Sequence, residues 1–142
     1  MRNDEGLGLV EVMVSIVVLA VALLAMLTLL IGAINTVAKN NTRATATELA
    51  TQRVEEARVV ALTGDCSTVR ATVESAKTTA DGRGIPLVVN AVVTNCDQSA
   101  VTDPHDLPQL AHVAVTVTTT QTGFVNPVAT VESDVYVTFE PS

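Results

Sequence analysis

VMVSIVVLAVALLAMLTLLIGAINTVA, residues Val12–Ala38, holds 27 consecutive positions without a charge. As a helix rising about 1.5 Å per residue it spans roughly 40 Å, against the roughly 30 Å hydrocarbon core of a bilayer. The run has no Pro, and its only Gly is Gly32. A core helix of a soluble domain would carry a polar face. Here Val12–Ile34 is apolar all round, with only Ser15, Thr28 and Gly32 interrupting. The stretch reads as one transmembrane helix, in which the Ser15 and Thr28 hydroxyls are expected to back-bond to helix carbonyls. A cleaved secretory signal has a shorter apolar segment, about 7–15 residues, and no amphipathic helix directly after it.

The rest of the composition fits an anchor plus one small domain in 142 residues. Hydrophobic residues reach 48%, yet aromatics are only 2% and Trp is absent, so Ala, Val and Leu must build the core. Mean hydropathy is +0.41, high for a soluble domain. The net charge of −7 argues against direct nucleic-acid binding, which needs a basic patch. Two Cys exclude a Cys-rich zinc module, and two His without a cluster argue against a metalloenzyme. No nucleophile–base–acid set, phosphate loop or metal signature is present. The expectation is a protein that is not an enzyme and takes no cofactor.

Beyond Lys39 the pattern stays helical but turns polar. Asn40-Asn41-Thr42 is a run of weak helix formers, and it also matches the common glycosylation acceptor pattern. From Ala44 to Leu62, Ala46, Ala50, Val54 (or Arg53), Ala57 and Ala61 fall on one helical stripe. Glu48, Gln52, Glu55 and Arg58 fall largely off it. One helix from about Leu7 to Leu62, roughly 80 Å long, is expected, with Gly64 as its breaker. The period then changes to two. Leu87–Thr94 and Leu110–Thr118 read as strands. Val128–Glu132 and Val135–Phe139 make a third, broken at Ser133-Asp134. Ser67–Ala80 is left unassigned, Asp81-Gly82-Arg83-Gly84 is a turn, Asp103–Pro108 a rigid loop and Gly123–Pro127 a hairpin connection. A long helix followed by an antiparallel meander gives an α+β class, with one sheet face on the second half of the helix.

Glu11 does not suit a plain anchor. A carboxylate at the head of a membrane span costs on the order of 3 kcal/mol unless it is paired. Nearby in this chain stands Arg2; an α-amino group on Leu7, freed by a cut after Gly6, would serve better, in the same molecule or on a neighbouring helix. At this point a family comes into view. Gly6-Leu7-Gly8-Leu9-Val10-Glu11-Val12 resembles the prepilin cleavage and methylation motif of type IV pilins and type II secretion pseudopilins, and Glu48–Arg58 is similar to the later part of their helix. The resemblance implies cleavage after Gly6 by a prepilin peptidase, N-methylation of Leu7, and pairing of Glu11 with the N-terminal amine of an adjacent subunit. It covers roughly the first 60 residues. Several features depart from the family's usual pattern: Leu7 for Phe or Met, Gly8 for Ser or Thr, an acidic leader with Asp4 and Glu5, and no mid-span Pro. The missing Pro points to a minor subunit, and the wording EVMVSIVVLAVALLAM is most similar to I-type pseudopilins and V-type minor pilins.

The resulting division is a leader over 1–6, a transmembrane and assembly half of the helix over 7–38, its amphipathic half over 39–63, and an extracytoplasmic β-rich domain over 64–142. Counting cations would place Lys39 and Arg43 inside. The resemblance implies the opposite, and Cys66 and Cys96 suit an oxidising side. These two cysteines either bridge a loop of about 30 residues or remain buried thiols; we carry the bridge as the expectation. Asp103, His105 and Asp106 read as turn-stabilising residues rather than a calcium site. His112 reads as a solvent-face strand residue. The implied partners are other pilins or pseudopilins, the prepilin peptidase, an inner-membrane assembly platform and the lipid bilayer, and the implied location is the inner membrane, then a filament. Two alternatives stand beside this: an uncleaved single-pass protein whose β domain binds a ligand, and a competence pseudopilus subunit for DNA uptake.

Overall fold

A computed structural model describes residues 7–96 and 109–137, in two compact units, Met1–Asn40 and Asn41–Ser142. One helix, α1, runs Leu7–Ala61. In the first unit every large apolar side chain from Leu9 to Val37 is exposed. Thr28 donates to the carbonyl of Ala25 (2.8 Å) and Thr36 to that of Gly32 (3.0 Å), so these hydroxyls leave no unsatisfied donor on an apolar helix. The weak helix formers at 40–42 do not interrupt α1.

In the second unit the expected stripe is the buried face of the helix: Ala46, Ala50, Val54, Ala57 and Ala61, joined by Thr42 and Arg53. After α1 come a short helix, α2 (Cys66–Val73), and four strands: β1 (Lys77–Ala80), β2 (Pro86–Thr94), β3 (Gln109–Thr119) and β4 (Ala129–Val137). The sheet is an antiparallel meander in the order β1-β2-β3-β4. Its inner face presents Leu87, Val89, Ala91 and Val93 from β2, and Ala111, Val113, Val115 and Val117 from β3. The second half of the helix packs on that face in one core. Alanine on the helix against valine on the sheet explains a core without aromatics. The methyl groups let the helix backbone approach closely, and a larger side chain would overpack it.

Three details differ from the sequence expectations. Ser67–Ala80, left unassigned, forms α2 and β1. Asp65 caps α2: its carboxylate accepts from the Thr68 N–H (2.8 Å) and hydroxyl (2.6 Å), while Cys66, Val69 and Val73 are buried. Residues 129–137 form one unbroken strand despite Ser133-Asp134. Ser133 pairs with Val113 and accepts from Arg58 Nη2 (2.9 Å), while Asp134 pairs with His112 on the opposite face. The alternation thus survives two polar residues. Finally, Gly64 does not adopt the left-handed conformation. Its missing Cβ instead admits the carbonyl of Val60 and the side chain of Thr68, which a Cβ would approach at 3.0 and 3.1 Å. The loop Asp103–Pro108, Thr138 and Phe139 lie outside the described residues.

At the far end of β2 the sheet has no β1 residue to pair with, since β1 stops opposite Val89. Side chains of the α2 region take over. The Val93 N–H donates to Glu74 Oε1 (3.1 Å), and Arg70 Nη2 donates to the Val93 carbonyl (3.4 Å). The Cys66–Cys96 disulfide fastens the same region, with a Cα–Cα distance of 5.6 Å. Across the β3–β4 connection, Asn126 serves as a substitute strand. Its amide accepts from Thr119 N (3.0 Å) and donates to Thr119 O (2.8 Å), beside a cis Asn126–Pro127 bond.

Candidate functional site

The N-terminal face of α1 is set by helical spacing. Gly8, Glu11, Val12, Ser15, Ile16 and Leu19 line one shallow groove along it. A Cβ on Gly8 would meet nothing, so the backbone there is open to a close neighbour. Glu11 is exposed. It lies beyond the first turn, which holds no acidic residue. The positive end of the helix dipole, whose effect fades within that turn, therefore gives it little support. Among the described residues no cation lies within ion-pair reach of Glu11. An apolar environment around this carboxylate thus requires a cation from outside residues 7–96 and 109–137. Gly6 and Arg2 lie outside the described residues, and the Leu7 backbone begins the helix.

The segment that follows has a mean hydropathy of 3.0 in its most apolar window and none of that window is buried within the chain. Water is a poor solvent for so large an apolar surface, whereas a lipid or helix-packed setting satisfies it, because a helix bonds all its backbone internally. The family model of the prokaryotic N-terminal methylation motif matches residues 1–27. No curated protein and no solved structure is similar enough to count as a match. The motif supports a type IV pilin- or pseudopilin-like precursor, with methylation and a transmembrane helix. The architecture of long N-terminal helix on a four-stranded antiparallel sheet is pilin-like, and the apolar helix is consistent with a membrane anchor.

A second polar group escaped the sequence reading. The turn 81–84 was legible, but its partner on the helix, Thr42, was not. Asp81 is buried. Its Oδ1 accepts from the N–H groups of Arg83 and Ile85, both at 2.9 Å, and its Oδ2 accepts from the Thr42 hydroxyl at 2.8 Å. Arg83 Nη2 lies 3.5 Å from Asp81 Oδ2 and donates to the Thr42 hydroxyl. The Gly84 N–H closes the turn onto the Asp81 carbonyl (2.9 Å), and its φ of 81° is one that glycine adopts freely. Burial alone would push the Asp81 carboxyl up. The Ile85 N–H, the Thr42 hydroxyl, the Arg83 N–H and the Arg83 charge together outweigh burial and hold it below its ordinary value. The cluster pins the β1–β2 turn to the first turns of the helix in the second unit. The same local engagement leaves the Thr42 side chain buried, an unsuitable context for the glycosylation pattern it completes.

His112 sits on the outer sheet face, half-buried, with Nδ1 2.8 Å from Asp134 Oδ1. That is a cross-strand pair on a solvated face. Among the described residues no group of three or more His, Cys, Asp or Glu is arranged to hold a metal. Asp103, His105 and Asp106 lie outside them.

Proposed function

We propose that the chain is the precursor of a minor pilin or pseudopilin, a structural subunit of a type IV pilus or type II secretion-like pseudopilus, and not an enzyme. The observation that carries this reading is the methylation-motif match at residues 1–27, with Glu11 on an apolar helix and no cation within ion-pair reach of it among the described residues. Prepilin peptidase cuts after Gly6 and methylates the new amine of Leu7. Residues 7–38 then hold the subunit in the inner membrane, with the β-rich domain outside. An assembly platform extracts it into a filament, where lipid contact is exchanged for contact with the helices of other pilins. Glu11 fixes the stagger by pairing with the Leu7 amine of the adjacent subunit. The absence of Pro throughout Leu7–Ala61 supports the minor-subunit reading, within which I-type pseudopilins and V-type minor pilins are the nearest kinds. The acidic chain is not itself a DNA-contacting subunit.

The pairing role predicts a separation of two steps. Glu11→Ala is expected to be cut and methylated at Leu7 like the parent, yet to be missing from sheared filaments when co-expressed with the rest of its machine. Immunoblotting of the membrane and sheared fractions, with mass spectrometry of the N-terminus, reads both steps. Normal incorporation of Glu11→Ala would refute the pairing.

A further inference from the structure

The two edges of the sheet are built differently. The β1 edge is four residues long and carries Lys77. A short strand and a lysine both discourage a further strand from adding there. The β4 edge, Ala129–Val137, has neither device. It holds no Pro, Lys or Gly, and its nine residues pair one-to-one with Gln109–Val117, so no bulge interrupts it. Among the described residues β4 makes backbone hydrogen bonds to β3 alone. Every second residue of such an edge turns its N–H and C=O away from the sheet.

A groove of about 360 Å³ opens between α1 and β4. Glu55, Arg58, Val59 and Leu62 of α1 form one wall, and Asp134, Val135 and Tyr136 of β4 form the other. Val135 is buried against the core, whereas Asp134 and Tyr136 are exposed on the outer face. A groove that touches side chains from both faces of one strand lies at that strand's edge. Its apolar part is uncovered, with Val59 65% exposed and Tyr136 67% exposed. A free backbone edge with an apolar shelf beside it provides the two surfaces that an added strand uses. All of these residues belong to the Asn41–Ser142 unit.

Charge selects the occupant. Glu132 and Asp134 share one imidazole, His112, with Nδ1 2.8 Å from Asp134 and Nε2 3.9 Å from Glu132. Even a protonated His112 leaves one negative charge over. Glu55 and Arg58 neutralise each other at 2.6 Å. The edge is therefore acidic. A second copy, added antiparallel about the middle of β4, would set the acids of one copy against those of the other, and like charges placed opposite are destabilising. We propose that the β4 edge takes an extended segment of another protein, in which apolar residues alternate with Lys or Arg. The segment adds as a further strand, with its backbone bonded to β4, its apolar side chains beside Val59 and its cations beside Glu132 and Asp134. The same acids that turn away a second copy attract this partner. The site lies within one unit and stands whether or not the chain enters a filament.

The test uses the full chain in a neutral detergent with three synthetic peptides. One alternates Val and Lys, one alternates Val and Glu, and the third is the Val-Lys peptide with every backbone nitrogen methylated. Hydrogen exchange read by NMR follows each β4 amide. In the free chain every second β4 amide is expected to exchange quickly. The Val-Lys peptide at saturation is expected to slow those amides by about tenfold or more, and the other two peptides to leave them unchanged. Glu132→Gln is expected to weaken the Val-Lys peptide by about threefold, the scale of one cross-strand charge pair. Glu132 is exposed, so this substitution spares the core. No slowing by the Val-Lys peptide would overturn the proposal. Equal slowing by the methylated peptide would show charge attraction without strand addition and overturn it too. Slow exchange of all β4 amides in the free chain would show an edge already covered, by the chain itself or, where the slowing grows with protein concentration, by a second copy. Either result overturns the proposal.

Discussion

Replacing Cys66 and Cys96 together by Ser lowers the stability of the Asn41–Ser142 unit by about 3.5 kcal/mol, the loop-closure entropy for a loop of about 30 residues. The bridge spans 30 positions and joins the start of α2 to the end of β2. Among the described residues, the Glu74–Val93 and Arg70–Val93 hydrogen bonds also tie the α2 region to the end of β2. Each involves a charged side chain but is partly exposed and worth about 1.5 kcal/mol, and neither closes the loop that the bridge closes. Against a total of roughly 5–15 kcal/mol for a domain, the loss is large. Hydrogen exchange of the full chain in detergent measures it at Val113, Val115 and Val117, which lie in the core of β3. If those amides exchange through global unfolding, their rates rise by about 300-fold, at tenfold per 1.4 kcal/mol. Acceleration confined to α2 would show that the bridge fastens only that helix.

The second large effect is at Asp81. Asp81→Ala removes an acceptor from the Thr42 hydroxyl, two backbone N–H groups and a guanidinium at one stroke. The expected loss is about 2–4 kcal/mol, the range for stranding buried donors beside a lost charge. Its pH dependence has a definite sign. The carboxyl is held below its ordinary value in the folded chain. Its contribution is therefore complete above the unfolded value of about 4, and is lost as pH falls through the lower, folded value. Acid titration of β3 amide protection should show a component lost in that window in the parent. The same component should be missing in Asp81→Ala. An identical acid limb in both proteins would show that Asp81 does not couple folding to protonation.

The long helix, the Ala stripe and the alternating strands were legible because each repeats a local period. Ala46, Ala50, Val54, Ala57 and Ala61 follow the helical period, and Leu87 to Val93 alternate by two, so burial could be read from spacing. Where the period was short or broken by polar residues, reading failed. CSTVRATV has three buried positions in eight residues and is rich in Ser and Thr, so α2 carried little signal beyond the Asp65 cap. Lys77–Ala80 exists as a strand because Pro86–Val89 pairs with it, a non-local cause. The break expected at Ser133-Asp134 did not occur because Arg58 of the helix and His112 of β3 receive those side chains.

The candidate site divides in the same way. Gly6, Leu7 and Glu11 were legible as a contiguous motif. Thr42, separated from Asp81 by 39 positions, could not be paired with it by any local pattern. Arg53 gives a milder case. Its place on the buried stripe was open in the sequence, and it is buried because Glu56 and Ser75 accept from its guanidinium. A charge can occupy a core stripe only when such partners exist.

The central claim is that this chain enters the pilin pathway through its first eleven residues. Its most direct test is the intact mass and N-terminal sequence of the membrane-extracted protein after co-expression with an active prepilin peptidase. The account predicts a chain that begins at N-methylated Leu7. A chain that still begins at Met1 or Arg2, beside a control prepilin that is fully processed, would contradict it. Glu11 would then be incidental, and the protein would be an uncleaved single-pass anchor carrying a β domain.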